Sequence, residues 1–80
     1  MSRLPRDLSG QDLVQSLKSL GYSSTRQAGS HIRLTTQNGG EHHVTIPNHA
    51  SLRIGTLSSL LNEIATHFQM SRDDLLKKIF

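Results

Sequence analysis

The sequence predicts an α+β domain in which one helix, a three-stranded antiparallel sheet, a second helix and a short terminal helix follow in order. Three observations point there. Leu13, Val14, Leu17 and Leu20 recur at helical spacing near the start, and Leu57, Leu60, Leu61, Ile64, Ala65 and Phe68 do so later. Between them, Ser30–Thr36 and Glu41–Ile46 alternate polar and apolar residues as half-buried strands do. The two strand segments are joined by Gln37-Asn38-Gly39-Gly40, whose Asn-Gly pair is a strong hairpin signal.

Residues 1–8 have no periodicity and read as a flexible arm on a single domain spanning 1–80. Ser9 is the expected N-cap of the first helix, with Asp12 completing a variant of the capping box and Gly21 stopping the helix, which should cover about 10–20. Tyr22–Gln27 is polar but rich in Thr, Ser and Tyr, and reads as a short edge strand, with Ala28-Gly29 turning the chain. On the next two strands Ile32, Leu34, Val44 and Ile46 form one face, and His31, Arg33, His43 and Thr45 the other. Pro47 has no amide donor and ends the third strand. Asn48–Gly55 is a loop, Thr56 is the expected cap of the second helix, and that helix should run to about His67. Ser71 with Asp74 gives a second capping signal before Leu75, Leu76 and Ile79. Two amphipathic helices should cover the apolar sheet face, leaving the polar face open.

Eighty residues allow one small core, and 34% apolar content is low without reaching the disordered range. Such a chain gains stability from a partner that binds its native state. The chain has no cysteine, which excludes disulfides, thiolate nucleophiles and cysteine-based zinc sites and fits a reducing cytoplasm. Neither a signal-peptide pattern nor a long apolar run is present, which points away from secretion and from a membrane-spanning role. A net charge of +3 suits nucleic acid or an acidic partner.

Five histidines carry the candidate chemistry. Cleaving RNA without a metal requires a base for the 2′-hydroxyl, an acid for the leaving 5′-oxygen and positive charge for the transition state. His31 can serve as the base, and Arg33 can grip a phosphate with two parallel N–H donors. Gly29 and Ser30 can offer a backbone amide or a hydroxyl to that phosphate, and Arg26 adds charge nearby. His49, just past Pro47, can supply an acid or a phosphate contact. His43 shares the polar face, His42 falls near the sheet rim, and His67 ends the second helix, where the helix dipole favours a histidinium. From the pattern alone, the competing readings are a solvated strand residue for His31, a loop residue held by a backbone hydrogen bond for His49, a structural role for His67 and an ordinary solubilising surface for the arginines. The histidines match no known metal-ligand spacing and no nucleotide-binding glycine loop is present, so neither a metal nor another cofactor is expected.

Taken together, Gly21-Tyr22, Thr25-Arg26-Gln27-Ala28-Gly29-Ser30-His31, Val44-Thr45-Ile46-Pro47-Asn48-His49 and Gly55-Thr56-Leu57 resemble the HicA toxins, the YcfA-like mRNA interferases of bacterial type II toxin–antitoxin systems. The resemblance extends over about residues 9–76, with Tyr22 in place of the usual phenylalanine. It implies a double-stranded-RNA-binding-domain-like fold and a small endoribonuclease that cleaves messenger RNA. It also implies a HicB-type antitoxin that covers the active face. By its Gly-Ser-His context, His31 matches the family's catalytic histidine, and His49 matches the Pro-x-His position. The competing expectation is a non-catalytic RNA-binding module of the same fold. That reading needs basic residues where the second helix begins, and Thr56-Leu57-Ser58-Ser59 has none. A third expectation is a subunit whose open face only receives a protein partner.

Overall fold

The computed structural model describes residues 4–80. Helix α1 covers Gly10–Leu17 and tightens into a 3₁₀ turn over Lys18–Leu20, after which come strands β1 (Ser23–Ala28), β2 (His31–Thr36) and β3 (His42–Pro47) and helices α2 (Ile54–His67) and α3 (Arg72–Ile79). The three strands form one antiparallel sheet in the order β1-β2-β3. The α+β architecture expected from the sequence is the one observed.

Local chemistry accounts for most boundaries. The Asp12 amide donates to Ser9 Oγ at 3.0 Å, and the Ser9 amide donates to Asp12 Oδ2 at 3.1 Å, so the capping box forms in full. The Asp74 amide likewise donates to Ser71 Oγ at 3.1 Å. Thr56 does not cap α2. Arg53 is the N-cap, in extended backbone, and Ile54 and Gly55 precede Thr56 within the first turn, too late for Thr56 to cap it. The strands sit one residue later than expected at several ends, and the first turn is Gly29-Ser30 instead of Ala28-Gly29. Gly29 takes the left-handed backbone that this two-residue connection requires, with φ 57°.

The core is one cluster in which Ile32, Leu34, Val44 and Ile46 meet Leu13, Leu17, Leu57, Leu61, Ile64 and Leu75. Both α1 and α2 pack against β3, and α3 closes over α2 and the 3₁₀ turn. Strand β1 lies outside this cover, and all six of its residues are exposed. Its polar composition explains why: Ser23 to Gln27 has no apolar side chain to bury. Of the segment read as an arm, residues 1–3 lie outside the described residues. Leu4 and Leu8 rest against the core, and the Leu8 carbonyl accepts the Leu52 amide at 2.7 Å.

Two backbone contacts fix the end of the sheet that matters for function. The Asn48 amide donates to the Ser30 carbonyl at 2.6 Å, and the Gly10 amide to the His49 carbonyl at 2.9 Å. Gly10 is buried, and a Cβ there would overlap the Pro47 carbonyl oxygen. The start of α1 is therefore seated directly on the exit from β3.

Candidate functional site

The uncovered sheet face is built by strand alternation. Ile32 and Leu34 are buried, and His31 and Arg33 between and beside them are exposed. His31 opens β2, with Ala28 opposite it on β1 and Pro47 opposite it on β3. Neither neighbour carries a polar side chain that could hydrogen-bond the imidazole nitrogens. Arg33 lies two residues further on, opposite Arg26 on one side and Thr45 on the other. Two guanidinium groups thus stand on directly facing positions, an arrangement that repels itself unless an anion sits between. Among the described residues, the basic side chains within 4 Å of a carboxylate are His42, beside Glu63, and His43, beside Glu41, and neither arginine is among them.

A β-bulge shapes this face. The register of β1 against β2 shifts between Ser24 and Arg26, which leaves Thr25 without a strand partner. The Thr25 hydroxyl donates to the Arg33 carbonyl at 3.3 Å and lies 3.1 Å from Thr35 Oγ1. Thr35 Oγ1 is 2.7 Å from His43 Nδ1, and His43 Nε2 is 3.1 Å from Glu41 Oε2. Glu41 also accepts from Gln37 Nε2 at 3.3 Å, and these two hydrogen bonds, that from Gln37 first, hold its carboxyl below the usual carboxylate range. An ionised carboxylate only accepts, so His43 Nε2 carries the proton that bridges them.

His31, Arg33 and Arg26 therefore share the open face toward one end of the sheet, and the Gly29-Ser30 turn closes that end. His49 is exposed two residues beyond Pro47, at the same end, held there through its carbonyl. The Thr25–Thr35–His43–Glu41 chain was not legible as a unit. His43 and Thr45 could be placed on the face by alternation, but nothing in the sequence announces the bulge that adds Thr25.

His42 and His67 lie on the other side of the sheet. The Tyr22 phenol is buried and its pKa is pushed up to about 12, chiefly by that burial, so its O–H donates to His42 Nδ1 at 2.7 Å. Burial first and His67 second lower the pKa of His42. The His42 and His67 rings stack with centroids 4.4 Å apart, and His67 Nε2–H donates to the Asn38 carbonyl at 2.9 Å. A hollow of about 410 Å³ lined by His42, Asn62, Glu63, Thr66 and His67 opens on this helical side. Among the described residues, no three His, Asp or Glu side chains are grouped as metal ligands would be.

The family described as "HicA toxin of bacterial toxin-antitoxin" matches residues 10–65, from the first residue of α1 to near the end of α2. The chain belongs to the HicA toxin family. As a HicA-family toxin it implies a cognate antitoxin. The match spans the open sheet face and both packed helices and stops before α3. No curated protein and no solved structure matches the chain. Among the described residues, no helix is long and apolar enough to cross a membrane.

Proposed function

We propose that this HicA-family toxin is a metal-independent endoribonuclease that cuts messenger RNA in the cytoplasm, with His31 as general base. The observation that carries the reading is the exposed His31 ring, flanked by Ala28 and Pro47, beside two arginines that no described carboxylate pairs. Histidine is the side chain suited to moving a proton near neutral pH. In this reading His31 takes the proton of a ribose 2′-hydroxyl as its oxygen attacks the adjacent phosphorus. The bond from phosphorus to the 5′-oxygen breaks, and that oxygen leaves with a proton. The products are a 2′,3′-cyclic phosphate and a 5′-hydroxyl.

Charge builds on the phosphate oxygens during this step. Arg33 and Arg26 supply fixed positive charge where it develops, and the Gly29-Ser30 turn offers a backbone amide and a hydroxyl to the same group. His49 is the nearest further histidine at this end of the sheet and is assigned a phosphate contact or the leaving-group proton. A HicB-type antitoxin would neutralise the toxin by covering this same face, where acidic side chains would meet the arginine pair.

The test is His31→Ala. Cleavage of an RNA oligonucleotide should vanish, while the circular dichroism spectrum and antitoxin binding stay close to wild type. A variant that still cuts at the wild-type rate removes His31 from the chemistry. A wild-type protein that binds RNA without shortening it points instead to a non-catalytic RNA-binding module.

A further inference from the structure

We infer that Thr25, Thr35 and His43 form a ribose subsite on the open sheet face, which selects RNA by the 2′-hydroxyl of a nucleotide beyond the cleaved bond. The inference rests on the reading of this face as an RNA surface, and it concerns residues that the cleavage step does not use. His31 faces Pro47, and His43 stands four residues before Pro47 on β3. At about 3.3 Å per residue the two histidines are roughly 13 Å apart along the strand. His43 is therefore too far from His31 to act on the same phosphorus, and it sits beyond the arginine pair.

The hydrogen bonds give this part of the face a defined polarity. Glu41 anchors one end as a pure acceptor, so His43 Nε2 donates to it. With the ring neutral, Nδ1 then accepts from the Thr35 hydroxyl at 2.7 Å. Thr25 spends its own hydroxyl hydrogen on either Thr35 Oγ1 or the Arg33 carbonyl. Every donor in the chain is thereby used inward. These bonds leave lone pairs unfilled on Thr25 Oγ1, whose residue is exposed, and on Thr35 Oγ1, since a hydroxyl oxygen has two. Such a surface attracts a donor and offers nothing to a phosphate, which only accepts. Arg26 and Arg33, one register step away, offer only donors. The face thus alternates a phosphate-seeking pair with a hydroxyl-seeking pair, as the alternating phosphates and riboses of an RNA strand do. The 2′-hydroxyl is the donor that DNA lacks. The open face between the strands carries no Phe, Tyr or Trp on which bases could stack, so contacts to the sugar and phosphate dominate there.

The experiment measures affinity in a His31→Ala background, so that the RNA stays intact. The probes are one single-stranded RNA oligonucleotide, its all-DNA counterpart, and a set of the RNA oligonucleotides each with one 2′-deoxyribose. The result expected is a loss of about fivefold to tenfold in affinity at one deoxy position, the scale of a single lost hydrogen bond. Adding Thr35→Val or His43→Ala should weaken the all-RNA probe by a similar factor and abolish the penalty at that position. Equal affinity for RNA and DNA, a penalty that survives both substitutions, or no binding of RNA at all overturns the subsite. Cleavage by the otherwise unchanged protein is read separately. If it cuts RNA but shows no deoxy penalty, the subsite fails and the nuclease reading stands. If the penalty is present and no cleavage occurs, the reverse holds.

Discussion

At the scale of single residues, the histidines divide into those that the fold already satisfies and those that it leaves free. His42, His43 and His67 each make hydrogen bonds to neighbours, whereas the only neighbours across the strands from His31 are Ala28 and Pro47. That contrast separates His31 from His42, His43 and His67; His49, whose ring likewise has no hydrogen bond among the described residues, stays beside it, as the residue pattern has it. Arg33 is the next residue to test. Replacing it by Ala should lower kcat/KM for RNA by about a hundredfold, the order expected for one positioned donor on a charged transition state. Arg33→Lys should recover part of the loss, because it restores the charge but not the planar two-donor grip. Steady-state kinetics on a single oligonucleotide checks both, and an Arg33→Ala variant with unchanged kcat/KM removes Arg33 from the phosphate.

At the scale of elements, the helices and strands were largely legible because each signal is local. Ser9 and Asp12 specify the start of α1 through two hydrogen bonds within four residues, and alternation over 31–36 and 42–47 sorts the two sheet faces. What escaped is non-local or compensated by context. Thr56 carries the right side chain for a cap, yet α2 begins two residues earlier, with no side-chain cap bond at all. The bulge at Thr25 depends on how β1 docks on β2, which no single strand encodes. The seat of α1 on the exit from β3 is also non-local. Gly10→Ala should destabilise the fold by about 1–3 kcal/mol, since the new methyl group must displace the Pro47 carbonyl. Urea unfolding measures this. A stability within 0.5 kcal/mol of wild type, the usual scatter at uncommitted surface sites, would show that the seat yields without cost.

At the scale of the molecule, the helices cover β2 and β3 and leave the outer strand and the far face to solvent. The sequence foretold an open face, because too few apolar residues exist to bury both sides of the sheet. It did not foretell that β1 would be bare on both sides. The helical side carries its own pH response. His42 has its pKa lowered from 6.5, by burial first and by His67 next, so unfolding releases it to take up a proton more readily. Its contribution to stability is full above about 6.5, the unfolded value, and falls as the pH drops through the lowered folded value. Urea midpoints should therefore fall between pH 7.5 and pH 5.5, and His42→Gln should flatten that part of the decline. An undiminished slope in the variant would place the acid sensitivity elsewhere.

The most direct measurement of metal-independent cleavage by His31 is digestion of one RNA oligonucleotide in EDTA by the wild-type toxin and by His31→Ala, with both product ends identified. The wild-type protein should give a 2′,3′-cyclic phosphate and a 5′-hydroxyl without any added divalent ion, and the variant should give neither. Activity that disappears in EDTA and returns with a divalent ion, or a His31→Ala protein that cuts as fast as wild type, contradicts it.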